Sequence, residues 1–301
     1  MIKAKTMNLK FLALAFSLLA LNQLVKAQDL LDSIKEKKPD KEYLESAFKS
    51  SRVIMSHSME MLKLGILDFR ILHRFGNINQ GAKEFFGLDQ ATIRLGLDYA
   101  INKDLTVGVG RSKYRKELDG FIKYRPLQQA IGTKAVPFSA VLVGGTTLQT
   151  GTLGSSGKDI LFSNRMGYYG QVIVGRKFSE AFTLQVVPTI VHRNLVTLTA
   201  DPNNTYAIGG GARIKLIRRV SFNIDYYYVI NKDVSQKTYN PLSVGFDIET
   251  GGHVFQLHLT NAIGMNERAF ITETTNDWGK GDIQFGFNIS RAFQVRKKKL
   301  N

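Results

Sequence analysis

Apolar and polar residues alternate one by one along most of this chain. GILDFRILHRF sets Leu67, Phe69, Ile71 and Phe75 on one face, with Asp68, Arg70 and Arg74 on the other. ATIRLGLDYA sets Ile93, Leu95, Leu97 and Tyr99 against Arg94, Gly96 and Asp98, and DGFIKYR sets Ile122 and Tyr124 against Lys123 and Arg125. TYAIGGGARIKL, VSFNIDYYYVI and GDIQFGFNISRAF repeat the pattern. A period of two is the mark of a β-strand with two different solvents on its faces. The pattern predicts twelve strands, at 64–75, 91–100, 105–114, 120–127, 137–149, 166–178, 183–193, 205–216, 220–230, 241–250, 253–262 and 281–293. Each approaches the length a tilted strand needs to cross a bilayer. Pro188 interrupts the seventh and predicts a bulge there.

The stretch DIETGGHVFQLHLT fixes one register in advance. Gly251-Gly252 is a two-residue hairpin signal, because glycine supplies the positive φ angles such turns need. Thr250 then faces His253, Ile248 faces Phe255, Phe246 faces Leu257 and Val244 faces Leu259. One face of this hairpin is apolar, while Asp247, Glu249, Gln256 and His258 share the other. Donors on opposite faces argue against a three-ligand metal site, and the nearest acid–base pairing is Asp247 with His258, diagonal neighbours across the ladder.

Connections alternate in length. Those at 101–104, 179–182, 217–219 and 251–252 are short; those at 76–90, 150–165, 231–240 and 263–280 are long, with 115–119 a short exception. Short turns on one rim and long loops on the other are the habit of an outer-membrane barrel. A soluble sandwich would keep strands nearer five or six residues and turn the apolar face inward. The predicted fold is a twelve-stranded, antiparallel, transmembrane outer-membrane β-barrel with a short N-terminal helical segment.

Residues 1–27 read as a cleaved signal peptide: Lys3, Lys5 and Lys10, then FLALAFSLLAL, then Val25-Lys26-Ala27. Residues 28–60 are rich in Lys and Glu, with a weak helical pattern in KEYLESAFKS, and predict a periplasmic segment or a plug folded into the barrel. The barrel spans 61–295 and a basic tail occupies 296–301. No Cys is present, so there is neither a disulfide framework nor thiolate chemistry.

FGLDQATIRLGLDYA, DGFIKYR, PTIVHRNLV and above all LSVGFDIETGGHVFQLHLTNAIGMNERAFITETTNDWGKGDIQFGFNISRAF resemble a Bacteroidota β-barrel family, domain of unknown function 5777. The likeness runs from about Ala47 to Phe293. It implies an outer-membrane barrel and carries over no catalytic residue.

The formal net charge of +16 raises nucleic acid as a partner. The basic residues are spread over lumen, turns and tail of an exported chain, which excludes it. On the inner face the clear strands place Asp68, Arg70, Arg94, Asp98, Arg125, Arg213, Asp225, Asp247, Glu249 and His258, joined by Arg74, Lys123 and Lys215. A near-balanced set of this kind builds either a salt-bridged lattice or the lining of a narrow, weakly anion-selective pore. No cofactor motif and no catalytic spacing occurs: GGGAR at 209–213 lacks the Lys-Ser/Thr of a phosphate loop, and its glycines relieve crowding in the lumen. Three functions follow in order: a narrow pore for small polar or anionic solutes, a closed structural or assembly barrel that binds an envelope protein, and a barrel-wall hydrolase acting on lipid or glycan. The first two make the chain a non-enzyme whose partner is the lipid bilayer. In the loop at 263–280, Phe270 and Trp278 read as interfacial aromatics or a binding surface.

Overall fold

Alternation of this kind closes a sheet on itself when one face meets lipid and the other a polar interior. A computed structural model of the protein describes residues 40–151 and 161–296. The signal peptide at 1–27, residues 28–39 and the tail beyond Arg296 lie outside the described residues.

Twelve antiparallel strands form a closed barrel. They are β1 (Ile66–Asn77), β2 (Ala91–Ala100), β3 (Leu105–Ser112), β4 (Glu117–Leu127), β5 (Ser139–Gln149), β6 (Met166–Lys177), β7 (Phe182–Arg193), β8 (Asn204–Ile217), β9 (Val220–Val229), β10 (Leu242–Thr250), β11 (His253–Thr260) and β12 (Gln284–Gln294). Each pairs with its sequence neighbour, and β12 pairs with β1 to close the ring, from Gln294↔Ile66 to Gln284↔Asn77. Closure leaves no edge strand, the condition for a sheet in hydrocarbon.

The faces divide as the alternation requires. Leu95, Leu97, Ile122, Tyr124, Val172, Val186, Tyr206, Tyr228, Phe246 and Leu257 are exposed on the outside. Arg70, Arg74, Arg94, Asp98, Lys123, Asp225 and Asp247 are buried inside. An apolar exterior around a charged interior inverts a soluble protein and suits a lipid surround. The β10–β11 register matches the sequence expectation: Thr250↔His253, Ile248↔Phe255, Phe246↔Leu257 and Val244↔Leu259, with Gly252 at φ +102° in the turn.

Pro188 makes no bulge. On one side it stays in register with Ile208, whereas on the other the β6–β7 ladder runs from Gln171↔Thr189 to Val174↔Val186 with the positions between unpaired. The missing N–H opens the ladder without shifting it.

The helix read in KEYLESAFKS is also absent. Among the described residues this stretch holds a two-residue strand, Glu42–Tyr43, which pairs with Ala130–Ile131 in the β4–β5 connection. From Ser46 the chain enters the barrel, where its backbone groups find partners on the wall. Weak helical propensity loses to those contacts.

Candidate functional site in the lumen

The chain enters through the short-turn rim, makes a hairpin inside the lumen and leaves through the same rim into β1. The hairpin is built on SRVIMSHS. Arg52 bridges to His57, Val53 N donates to Ser56 O at 2.9 Å, and Ser58 N donates to Ser51 O at 3.0 Å. Inside a barrel this short ribbon has no sheet neighbour, so its remaining backbone groups need other partners. Side chains from around the wall supply them. Asp225 on β9 accepts from Ile54 N (3.3 Å), Met55 N (2.8 Å), Ser56 N (2.9 Å) and Ser56 Oγ (2.9 Å). Gln256 on β11 and Asn288 on β12 donate to the carbonyls of Val53 (2.8 Å) and Ile54 (3.0 Å). Gln185 on β7 accepts from Met59 N (2.8 Å) and donates to His57 O (2.8 Å). Lys123 on β4 reaches the carbonyls of Ser51 (3.2 Å) and Glu60 (2.6 Å), and Arg213 on β8 that of Ala47 (2.9 Å). Small wall residues give the hairpin room. A Cβ at Gly211 would stand 2.9 Å from Val53 Cγ2, and one at Gly175 would stand 2.3 Å from Met59 Sδ.

The opposite end is filled by the β11–β12 loop. Its helix α1 (Glu267–Thr272) is capped by Asn266, whose side chain accepts from Ala269 N at 2.9 Å, and all six of its residues are buried. Phe270 packs edge-on against Tyr227 of β9 with ring centroids 5.2 Å apart, and Arg268 forks onto Glu117 at 2.5 and 3.0 Å. Phe270 is therefore an internal packing residue, not an interfacial one. Trp278 donates from Nε1 to Leu242 O at 3.1 Å. The two insertions meet: Arg52 Nη1 lies 3.0 Å and His57 Nε2 lies 3.4 Å from the same Glu267 oxygen, with all three side chains 1% exposed.

Of the residues picked out by sequence, Asp68, Arg70, Arg94, Asp98, Arg213, Asp225, Asp247 and His258 are buried in the lumen. Arg70 pairs with Asp68 at 3.1 Å and donates to Ser50 and Ser51 of the hairpin. Arg94 forks onto Asp119 at 2.8 and 2.5 Å. Two others sit at the short-turn rim, near the strand ends that alternation could not place. Arg125 pairs with Asp104 at 2.9 Å, and Glu249 pairs with Lys49. Asp247 does not pair with His258. It accepts from Gln256 directly opposite at 2.9 Å, and neither ring nitrogen of His258 has a partner. Asp98 is buried with both oxygens unpartnered. Sequence reasoning missed Asp119 and Glu117, which a two-step extension of the β4 alternation back from Lys123 and Phe121 reaches. It missed Arg52, His57 and Glu267 because no period marks them. Among the described residues no group of three or more His, Asp or Glu side chains is placed to hold a metal ion.

Burial, and then the charges of Arg52, Lys123, Arg70 and Arg94, hold the His57 imidazole well below its ordinary pKa of 6.5. A lowered pKa contributes stability that is present above the ordinary value and is lost as pH falls below it. Glu267 works the other way. Burial raises its carboxyl above 4.5, so its share is complete below 4.5 and shrinks as pH rises through the raised value. Protonation of His57 is therefore expected to weaken closure as pH drops below about 6.5, read as faster protease cleavage of the hairpin in the parent than in a variant without the imidazole. His57→Gln removes that step; an unchanged pH profile in the variant would rule out His57 as its source.

Residues 48–293 match a family described as a membrane-bound β-barrel domain, DUF5777. The chain belongs to this family. Its lipid-facing exterior is thus that of a membrane-bound barrel, and the match begins inside the hairpin, so the lumen insertion is part of the DUF5777 domain itself. The comparison with curated proteins found no match. Among solved structures the DUF5777 barrel is similar to the NanC porin, at 10% identity and a TM-score of 0.47 over 75% of this chain and 98% of that one. It is also similar to Omp33 of Acinetobacter baumannii, at 10% identity and a TM-score of 0.39 over 77% and 99%. OmpF of Salmonella typhi, solved with daunomycin, gives 10% identity and a TM-score of 0.37 over 76% and 97%. These likenesses are too distant to carry a function.

Proposed function

We propose that this protein is an outer-membrane β-barrel in its closed state, a gated narrow pathway for small polar or anionic solutes whose gate is the hairpin at residues 46–61. The observation that carries the reading is how the hairpin is held. Its backbone is bound by single side chains from six strands rather than by a continuous sheet ladder, which suits an element that leaves as a unit. The wall behind it supports the same view. Asp98, Arg74, Asn223 and His258 are buried with unpartnered polar atoms. A lumen that stayed sealed would be as stable or more so with apolar residues there, whereas a lumen that admits water uses these groups when open. The leader read at residues 1–27 supports export to the outer membrane.

The second reading is a permanently closed barrel that binds an envelope protein. The near balance of buried charge favours it, with nine buried Lys and Arg against eight buried Asp and Glu among the described residues. Barrel-wall hydrolysis has no support in the geometry, since the buried His residues face Glu267 or nothing.

A disulfide lock separates the two. The chain has no Cys, and the 2.9 Å between a Cβ at 211 and Val53 Cγ2 matches the spacing of a Cβ and the far sulfur across a disulfide. V53C/G211C, oxidised in a planar bilayer, is expected to be silent and to open on reduction. Openings that persist with the disulfide formed would rule out the hairpin as the gate, and silence after reduction would favour the closed barrel.

A further inference from the structure

The short-turn rim holds a cavity of about 390 Å³ beside the point where the hairpin enters. Five cations line it: Lys49 of the hairpin, Arg213 and Lys215 of β8, and Arg218 and Arg219 of the β8–β9 turn. Two carboxylates are present, and both are occupied. Glu249 pairs with Lys49, and Glu180 pairs with Lys177 at 2.5 Å. Among the described residues Arg213, Lys215, Arg218 and Arg219 have no carboxylate partner. Arg213 is 2% exposed, and its Nε has no hydrogen-bond partner at all.

A buried guanidinium with an idle donor on the wall of a cavity is costly unless something accepts from it. The lining carries three more positive than negative charges, and the rim's low-dielectric walls focus that field. Guanidinium forks match phosphate oxygens two at a time. A monocarboxylate would leave most of the excess unanswered, while a phosphorylated group carrying two or three negative charges answers it. The volume is at the small end of ligand sites and suits a compact solute.

We propose that this rim cavity is a binding site for a phosphate-bearing ligand, held chiefly by Arg213, Lys215, Arg218 and Arg219. The site is complete with the hairpin in place, because Lys49 and Ser46 form part of its wall. Binding therefore needs only the closed arrangement and does not require that the hairpin ever leave the lumen. The cavity opens at the rim, so the phosphate comes either from a free solute or from a lipid headgroup.

The test is calorimetric titration of the full-length folded protein in a neutral detergent. Pyrophosphate is the soluble probe, short-chain phosphatidic acid, a phosphomonoester, the headgroup probe and chloride the control. Saturable one-to-one binding of pyrophosphate, weakened at least tenfold in R218Q/R219Q and in K215Q, supports a soluble ligand. Saturable binding of phosphatidic acid alone, with the same loss in both variants, supports the site with a headgroup as its source. Affinity for neither probe, or binding that the variants leave unchanged, or heat matched by equal chloride, overturns the proposal. Arg218 and Arg219 lie in an exposed turn, so their replacement leaves the barrel wall intact.

Discussion

Asp225→Ala is expected to release the hairpin tip and convert a barrel that is nearly always closed into one that opens readily. The Asp225 carboxylate receives three consecutive backbone N–H groups and one hydroxyl from Ile54, Met55 and Ser56. Hydrogen bonds to a charged acceptor contribute roughly 1.5–3 kcal/mol each, and amides left buried without a partner cost about as much again per group. The terms share one geometry and do not add in full, so a shift of about 3–5 kcal/mol is expected. That is on the order of 100-fold to 1000-fold or more in the population of the released hairpin. A single Cys at Met55, in a chain that otherwise has none, reports it. Its maleimide labelling should accelerate at least 100-fold in D225A and less in D225N, which keeps one acceptor oxygen. Equal labelling rates in D225A and the parent would mean that Gln185, Gln256 and Asn288 hold the tip without Asp225.

Glu267→Ala should have a comparable cost from the other end of the lumen. Among the described residues Glu267 is the single anion within ion-pair reach of Arg52 and His57, and removing it leaves the Arg52 guanidinium buried without a carboxylate partner. Breaking one side of such a pair costs about 3–5 kcal/mol, whereas replacing both sides with apolar residues is often neutral or better. For a barrel of this size the single substitution should lower the unfolding midpoint by roughly 10 °C. Arg52→Met combined with Glu267→Met should recover most of it. Thermal melts of the two singles and the double form the cycle. Additive losses would show that hairpin and loop are held independently and that their contact is incidental.

Both residues illustrate which parts of this molecule can be read from its sequence. The barrel wall was legible because lipid outside and charge inside impose a period of two on strand after strand, and the turn chemistry of Gly251-Gly252 pinned a register. Arg70, Arg94, Asp225 and Asp247 fell on the correct face for the same reason. A plug from residues 28–60 was one of two readings open in the sequence, but which residues fill the lumen, and in what conformation, was not legible. The hairpin at 46–61 and the helix at Glu267–Thr272 are not periodic surfaces between two solvents. Their conformations are dictated by individual wall side chains, such as Asp225 gripping three amides, and no local pattern in SRVIMSHS announces a partner some 170 residues away. The weak helical pattern in KEYLESAFKS misled because short helices depend on packing for their stability, and the packing available there was a ring of hydrogen-bonding side chains.

The hairpin's contacts also bear on how the ring is built. It immediately precedes β1, yet Arg70 on β1 and Asn288 on β12 both bind it, one at Ser50 and Ser51, the other at Ile54. These two strands form the seam, the pairing of greatest separation along the chain and therefore the slowest to find. A ribbon that binds both lips of the seam lowers the entropy of bringing them together. The element that obstructs the finished lumen thus doubles as a mandrel on which the cylinder is wound shut.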